Sequence, residues 1–326
     1  MELSSLLEEK AREISKGYWV GELPVADARG AVLCFNSRRA RASPRNSPAI
    51  VSGRRTHLLQ LHLYYSPSDA RNLRRHCCDC RPTFSHEADI NFTWGFYRDF
   101  DLTVLIPIVT NHFDRAATPA VEATGLGDAM LLVKYRFYRR DSPRGTTQAS
   151  VTFGPKIPTG RTDLADGNGI RLPSSLQPGS GSTDLFLAAT WTYTGLFNIK
   201  RLVADEDFHS LIRLEGTQAT RLGTDLESRF WLSYRPYESK NGAREWFIGP
   251  VLTWLHSQDD RTAGVTQSGS GGDALLAGIT TYVGVRSGMH VWLGADWDVA
   301  HSTGTLFMPV RRHISFGITQ QFRLHL

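Results

Sequence analysis

Apolar and polar residues alternate along the chain from residue 86 to the last residue. In EADINFTWGFY (87–97), every second residue from Ala88 to Phe96 is apolar, and the residues between them are Asp89, Asn91, Thr93 and Gly95. Successive side chains of a strand point to opposite faces, so this period of two predicts a strand with one apolar and one polar face. The pattern recurs in about eleven segments, which are 87–97, 101–109, 128–138, 149–157, 184–193, 207–216, 226–235, 246–254, 275–285, 289–299 and 314–326.

The length of these segments favours a membrane-spanning barrel over a water-soluble β-sandwich. A tilted strand of about ten residues crosses a bilayer, with the apolar face toward lipid and the polar face toward the lumen. Aromatic residues stand near many strand ends, as in the interfacial girdles of such barrels. They are Trp94, Phe96, Tyr97, Tyr135, Phe137, Trp191, Tyr193, Tyr234, Trp246, Trp254 and Trp297.

The connections between the predicted strands alternate in length. Short links lie near Arg98, at 139–146 and at 286–288, whereas long links rich in Gly, Ser and Thr span 110–124, 158–182, 256–273 and 301–312. Outer-membrane barrels have short periplasmic turns and long outer loops, so the spacing predicts this topology. The chain also ends on an alternating strand, although its last residue, Leu326, is not the usual aromatic.

An even strand count requires one more strand, because single-chain bacterial barrels have even numbers. The segment THLLQLHLYY (56–65) alternates in the same way and supplies it, joined to the next strand by a long link at 66–85. We therefore predict an all-β fold, an antiparallel transmembrane β-barrel of about twelve strands spanning 56–326, with its core at 86–326. A ten-stranded barrel is the alternative.

Residues 1–55 form a separate, irregular extension. The first sixteen residues have the composition of a short charged helix, and a Pro/Arg/Ser-rich stretch follows that cannot bury a core and is predicted to be disordered. No secretory signal with an apolar core is visible. A barrel without an export signal suggests the hypothesis that the start site is misassigned and that this segment is not native.

Composition excludes several other classes. No run of eighteen or more residues is continuously apolar, which argues against a transmembrane helix. Much of the basic excess behind the net charge of +5 lies in 37–55, which is not the whole-domain basic surface of a nucleic-acid binder. No cysteine lies in the strand-rich part, so its fold needs no disulfide.

Three stretches carry a resemblance to a known family. They are GLGDAMLLVKYRFYRR (125–140), ASVTFGPKIPTGRTDL (149–164) and LPSSLQPGSGSTDLFLAATWTY (172–193). The chain resembles the transporter-like outer-membrane β-barrel family named for the MetA pathway of phenol degradation, over about residues 84–326. The resembling positions are Gly125, Leu126, Gly127, Asp128, Lys134, Tyr135, Arg136, Lys156, Pro158, Thr159, Gly160, Gly181 and Ser182. The resemblance implies passage of small hydrophobic or aromatic compounds and supplies no catalytic residues.

Candidate sites for metal binding and catalysis are weak. Cys77, Cys78 and Cys80 could bind a soft metal through thiolates, but they lack the paired spacing of a zinc site, so a plain loop is the simpler interpretation. No nucleophile motif accompanies the histidines that could act as general bases, which are His209, His256, His290, His301 and His313. We therefore predict no enzyme activity and no cofactor.

Charged residues at mid-strand positions of the polar face are the better candidates. They could form cross-strand ion pairs that fill a narrow lumen, or set the selectivity of a pore. The predicted lumen-lining residues are Lys134, Arg136, Lys156, Asp184, Glu227, Arg229, Arg235, Asp296, Asp298 and Arg323.

The sequence thus predicts a channel or transporter of the bacterial outer membrane for small, hydrophobic or aromatic molecules. Its expected partners are membrane lipid, small solutes and the barrel-assembly machinery, and not nucleic acid. Two alternatives remain open: a non-conducting structural or adhesion barrel filled by charge pairs, and a barrel hydrolase.

Overall fold

The computed structural model describes residues 33–34, 40–41, 56–68, 83–97, 99–115, 118–143, 145–172, 174, 176–239, 244–286, 288–303 and 312–323. Within them the chain is built almost entirely of antiparallel strands. None of the helical turns found there is long and apolar enough to cross a bilayer. The predicted N-terminal helix and the cluster of Cys77, Cys78 and Cys80 lie outside the described residues.

Twelve strands of the described part form the main sheet, and we number them in chain order. Strand β4 consists of two segments that are separated only by Gly127 and Asp128. The strands are β1 (Thr56–Ser68), β2 (Thr83–Tyr97), β3 (Phe100–Arg115), β4 (Thr118–Leu126 with Ala129–Ser142), β5 (Gly145–Ile157), β6 (Asp184–Thr194), β7 (Leu202–Ile212), β8 (Asp225–Glu238), β9 (Glu245–Ser257), β10 (Gly272–Arg286), β11 (Met289–Thr303) and β12 (Arg312–Arg323).

The sheet closes on itself. Each strand pairs with its neighbours in sequence, and β12 pairs with β1 through a register that includes Ile318 opposite Leu61. Strand β1 pairs in turn with β2, and β2 with β3, so the ring has no free edge. Closure satisfies the backbone hydrogen bonds of every strand, which is a requirement inside a bilayer. The predicted twelve-stranded antiparallel barrel, with 56–65 as its first strand, is confirmed.

The two faces of the strands have opposite exposure. On β6, Leu185, Leu187 and Trp191 are exposed on the outside, whereas Asp184 and Phe186 are buried in the interior. The same alternation runs through β4, β5, β8 and β9. An apolar outer face and a largely polar interior are the arrangement of a transmembrane barrel, the reverse of a soluble one.

The ends of the barrel differ as the link lengths predict. At the turn end, β2 and β3, β4 and β5, β6 and β7, β8 and β9, and β10 and β11 are joined by links of a few residues. At the loop end lie the long segments 158–183, 213–224 and 258–271. The last two pair through a small sheet of Thr220–Arg221, Arg261–Thr262 and Val265–Thr266. The turn end is therefore the periplasmic end.

Two predicted segments differ most from the structure. The segment 110–124 is not a loop, because β3 continues to Arg115 and β4 resumes at Thr118, so that a long hairpin rises above the barrel. Strand β7 begins at Leu202 and ends at Ile212, where the sequence pattern had suggested 207–216. Its first half, LVADED, is acidic and therefore resembles a loop, yet Asp205 and Asp207 are buried and accept hydrogen bonds from Thr192 and Thr190.

Candidate functional site

A β-bulge in β4 sets up the best-defined polar site of the barrel. Strand β3 pairs with β4 at Ile108–Leu126 and again at Leu105–Met130, so β4 contributes one more residue between these pairs than β3 does. The extra residue reverses the inward and outward alternation, and both Gly127 and Asp128 are buried. Bulges of this kind re-aim a side chain. Here the carboxylate of Asp128 is directed into the interior.

Lys156 lies at the centre of this site. Its ammonium group is 2.7 Å from Asp128 Oδ2 and 2.8 Å from Asp184 Oδ2, and it also contacts Ser180 Oγ and the carbonyl of Ser182. The Lys156 side chain is 2% exposed, and those of Asp128 and Asp184 are 4% and 0% exposed. A buried ammonium needs such a set of charged and polar partners, because it has lost its hydration. We call Asp128, Lys156, Ser180, Ser182 and Asp184 the polar hub.

The polar hub fastens the segment 158–183 to the barrel wall. Asp128 accepts hydrogen bonds from the backbone N–H groups of Gly160 (3.1 Å) and Ser180 (2.8 Å), near the two ends of the segment. The two ends also meet directly: a Cβ atom on Gly160 would lie 2.6 Å from the Cα atom of Gly179. Glycine is required at such a close backbone approach. The resemblance motifs GLGD, KIPTG and GSGSTD thus converge on one structural site.

The segment 158–183 folds over the mouth of the barrel. Leu172 and Leu176 pack against Ala123 of the β3–β4 hairpin, and Asn111 donates a hydrogen bond to the carbonyl of Leu176 (3.1 Å). Gln177 bridges the segment internally, since it donates to the carbonyl groups of Leu164 and Leu172. These contacts hold the segment in the mouth instead of leaving it extended into solvent.

An apolar cluster lies in the lumen next to the polar hub. It consists of Leu105, Met130, Leu132, Phe186, Ala188 and Leu211, all of them buried. A cavity of about 20 Å³ separates the cluster from the segment above, and Asp128, Lys156, Pro178, Met130 and Leu211 are among the residues that line it. This is room for roughly one water molecule, so little space remains between the cluster and the segment at this point.

The opposite arc of the lumen is filled by aromatic and charged side chains. Trp231, Phe247, Tyr282 and Trp292 are buried in the half nearer the turn end. Asp296 lies 3.2 Å from His313 and 3.9 Å from Arg229, an ion pair that passes across β9 and β10. Mixed charges and rings therefore occupy much of this narrow interior.

The structure places the sequence-predicted charges as follows. Seven are buried, namely Lys134, Arg136, Lys156, Asp184, Glu227, Arg229 and Asp296. The side chains of Arg235 and Asp298 are 12% and 6% exposed, and Arg323 ends β12 with its side chain outside the described residues. Lys156 and Asp184 are brought together directly, as are Arg229 and Asp296, whereas Arg136 pairs with Asp99 of a turn at 2.6 Å.

Several interior residues were missing from the sequence-based set. Asp128 has the same inward parity as Lys134 and Arg136 in the predicted strand 128–138, but it begins that strand and so was not among the mid-strand charges. Arg213 follows β7 and forms a buried ion pair with Asp225, which also accepts a hydrogen bond from Ser257 (2.7 Å). Asp205 and Asp207 stand two residues apart in LVADED, so a strand would place both on one face. That spacing was the sequence signal from which these two interior acids could have been predicted.

A closed twelve-stranded barrel with a lipid-facing apolar exterior and an inward-folded loop segment defines the class: a β-barrel of the bacterial outer membrane. A family model described as MetA-pathway of phenol degradation matches residues 82–306, and the chain belongs to that family.

A solved structure agrees with this fold. An outer-membrane channel from Pseudomonas putida F1 superposes with a TM-score of 0.62 at 13% identity, covering 85% of this chain and 100% of that one. The β-domain of the Bordetella autotransporter BrkA gives a TM-score of 0.49 at 9% identity, covering 83% and 100%. No curated protein matches the sequence significantly.

Proposed function

We propose that this barrel is a passive channel for small apolar molecules, aromatic compounds included. The apolar cluster of the lumen is the observation that carries the proposal. A barrel interior in contact with water is normally polar, and ligand sites for apolar molecules are lined by apolar side chains. Six buried apolar residues from β3, β4, β6 and β7 meet here beneath the barrel mouth. The family description and the channel from Pseudomonas putida F1 support the same function.

The segment 158–183 is the gate in this proposal. The cavity between it and the apolar cluster admits about one water molecule, so a larger solute passes only when the segment moves away. Lys156 and Asp184 hold the closed position through the polar hub. Glu227, Arg229, Arg235, Asp296 and Asp298 narrow the opposite arc, whereas Lys134 and Arg136 lie on β4 nearer the turn end than the apolar cluster.

The test is uptake by cells that carry the barrel behind a working signal peptide. We expect faster entry of radiolabelled toluene than in cells without it, and little change for a small sugar. Phe186→Asn and Leu211→Asn place polar groups in the apolar cluster and should abolish most of the gain. Leu187→Ala, on the lipid-facing side of the same strand, is the matched control and should retain it. Equal uptake in all strains would refute the proposal.

A non-conducting barrel is the second candidate, and the buried ion pairs of the lumen favour it. Lys156 with Asp184, Arg229 with Asp296, and Arg213 with Asp225 all tie parts of the interior together. Single-channel recording in planar bilayers separates the two functions. A channel gives discrete conductance steps, whereas a permanently filled barrel gives none under any applied voltage.

We infer that the barrel has no catalytic role and that it reaches the membrane through the barrel-assembly machinery, with residues 1–55 as a separate segment. His209 contacts Glu227 at 3.3 Å and His313 contacts Asp296, and both histidines are buried in the lumen. These contacts are of the ion-pair type seen throughout the interior. Depletion of the assembly machinery should leave the protein unfolded and susceptible to periplasmic proteases.

A further inference from the structure

Exposed basic side chains recur at the turn end of the barrel. Arg140 lies before the β4–β5 turn, Lys200 and Arg201 lie in the β6–β7 turn, Arg244 precedes β9 and Arg286 ends β10. All five are exposed, and none forms a salt bridge within the part of the chain that the structure describes. The exposed acids at this end, Asp141 and Glu238, are already paired with Arg139 and Arg235. The turn end therefore presents an uncompensated positive rim.

The β6–β7 turn adds an apolar element to this rim. Phe197 is 78% exposed, and its backbone has φ 53°, a conformation that bulky residues rarely adopt. Backbone hydrogen bonds from Asn198 to Gly195 and from Ile199 to Leu196 fix the turn in that shape. Strain held in place by surrounding contacts suggests a role for the displayed side chain. Phe197 and Ile199 project beside Lys200 and Arg201, as in interfacial membrane anchors.

We propose that this rim binds the headgroups of anionic phospholipids in the periplasmic leaflet. The basic residues belong to four different turns and so surround the barrel, which fits a continuous lipid layer better than a protein partner on one side. They also adjoin the lipid-facing aromatic residues Tyr138 and Trp246, so the charged rim continues the surface already in contact with lipid. Basic residues next to a membrane attract anionic lipid in this way.

At the loop end, exposed basic and acidic residues occur together within the described residues. Exposed Arg161, Arg171, Arg261 and Arg312 are accompanied there by exposed Asp163, Glu122 and Glu215, and Arg161 lies 3.3 Å from Asp163. The contrast assigns the lipid preference to one end of the barrel and supplies matched controls from the other.

The test is native mass spectrometry of the full-length barrel, titrated with phosphatidylglycerol or phosphatidylcholine of identical acyl chains. We expect the wild type to bind phosphatidylglycerol at least tenfold more tightly. Lys200→Gln/Arg201→Gln should reduce that preference about fivefold for each charge removed, whereas Arg171→Gln/Arg261→Gln at the loop end should not change it. Phe197→Ser should weaken binding of both lipids equally.

Three results would overturn the proposal: equal affinity of the wild type for the two lipids, an equal loss in the loop-end control, or competition by free inorganic phosphate at the lipid concentration. The last result would indicate a simple anion site. Heat-dependent gel mobility verifies that each variant is folded.

Discussion

Replacement of Lys156 by methionine should release the segment 158–183 from the mouth of the barrel. The ammonium group lies within 2.8 Å of two carboxylates that are almost completely buried. Methionine fills a similar volume but leaves Asp128 and Asp184 without their cation. Breaking a buried ion pair by removing one partner costs about 3–5 kcal/mol. The strands are held by the closed ladder, so the segment is the part that can move to rehydrate both carboxylates.

Limited trypsin digestion measures this opening. Arg161 and Arg171 lie in the segment with exposed side chains, while the backbone at Arg161 is held by hydrogen bonds to Leu126 and Gly179. When cleavage follows a rapid opening equilibrium, its rate follows the open population. A change of about 3–5 kcal/mol then raises cleavage after these residues about 10² to 4 × 10³-fold.

Two controls accompany the digestion. Cleavage after Arg261, in a segment held separately by Asp260 and Ser270, should keep its wild-type rate. Lys156→Arg keeps the charge and should be cleaved at least tenfold more slowly than Lys156→Met. If Lys156→Met is folded on heat-modification gels and yet cleaved within threefold of the wild-type rate, the polar hub does not hold the segment.

Three further outcomes follow from close contacts and buried pairs. Gly160→Ala places a Cβ atom 2.6 Å from the Cα atom of Gly179, at an overpacking cost of about 1–3 kcal/mol. This change should speed tryptic cleavage after Arg171 roughly tenfold. Gly167→Ala, with open space around the added Cβ atom, is the control and should not change the rate. Arg213→Met leaves Asp225 buried without its cation and should lower the free energy of unfolding in lipid vesicles by about 3–5 kcal/mol; an unchanged urea midpoint would contradict this. In Gly317→Ala the added Cβ atom overlaps the indole of Trp292. The free energy of unfolding should fall by about 1–3 kcal/mol, and the tryptophan emission should shift. An unshifted spectrum would contradict this close contact with the ring.

The alternation of side chains was enough to predict the barrel and its strand number. The faces of Leu185 and Asp184 could be predicted because a bilayer favours apolar side chains on the outside, whereas the lumen accepts polar ones at the neighbouring positions. The extensions of β3 and β4 beyond the membrane were not predicted. Strands that are surrounded by water need no apolar outer face, and the residues of 110–124 are largely polar or small.

The polar hub was only partly predictable. Lys156 and Asp184 were recognised as interior charges from strand parity, but sequence alone could not pair them with Asp128, which lies on another strand at a bulge. The grouping also depends on the close approach of Gly160 and Gly179, which is a tertiary contact. The apolar cluster was not predicted. Single apolar residues on the inner face of a strand, such as Phe186, interrupt the polar pattern, and the sequence does not show that they meet residues from other strands.

The bulge at Gly127 and Asp128 makes β4 two modules on one strand. Below the bulge, exposed residues such as Leu131 and Tyr135 face lipid and are apolar or aromatic. Above it, the inward and outward alternation is shifted by one residue, and the polar residues Glu122 and Thr124 are exposed. Substitutions in the hairpin therefore do not have to keep an apolar face toward the bilayer. The mouth of such a barrel can diversify to admit new compounds while the wall that inserts and folds is left unaltered.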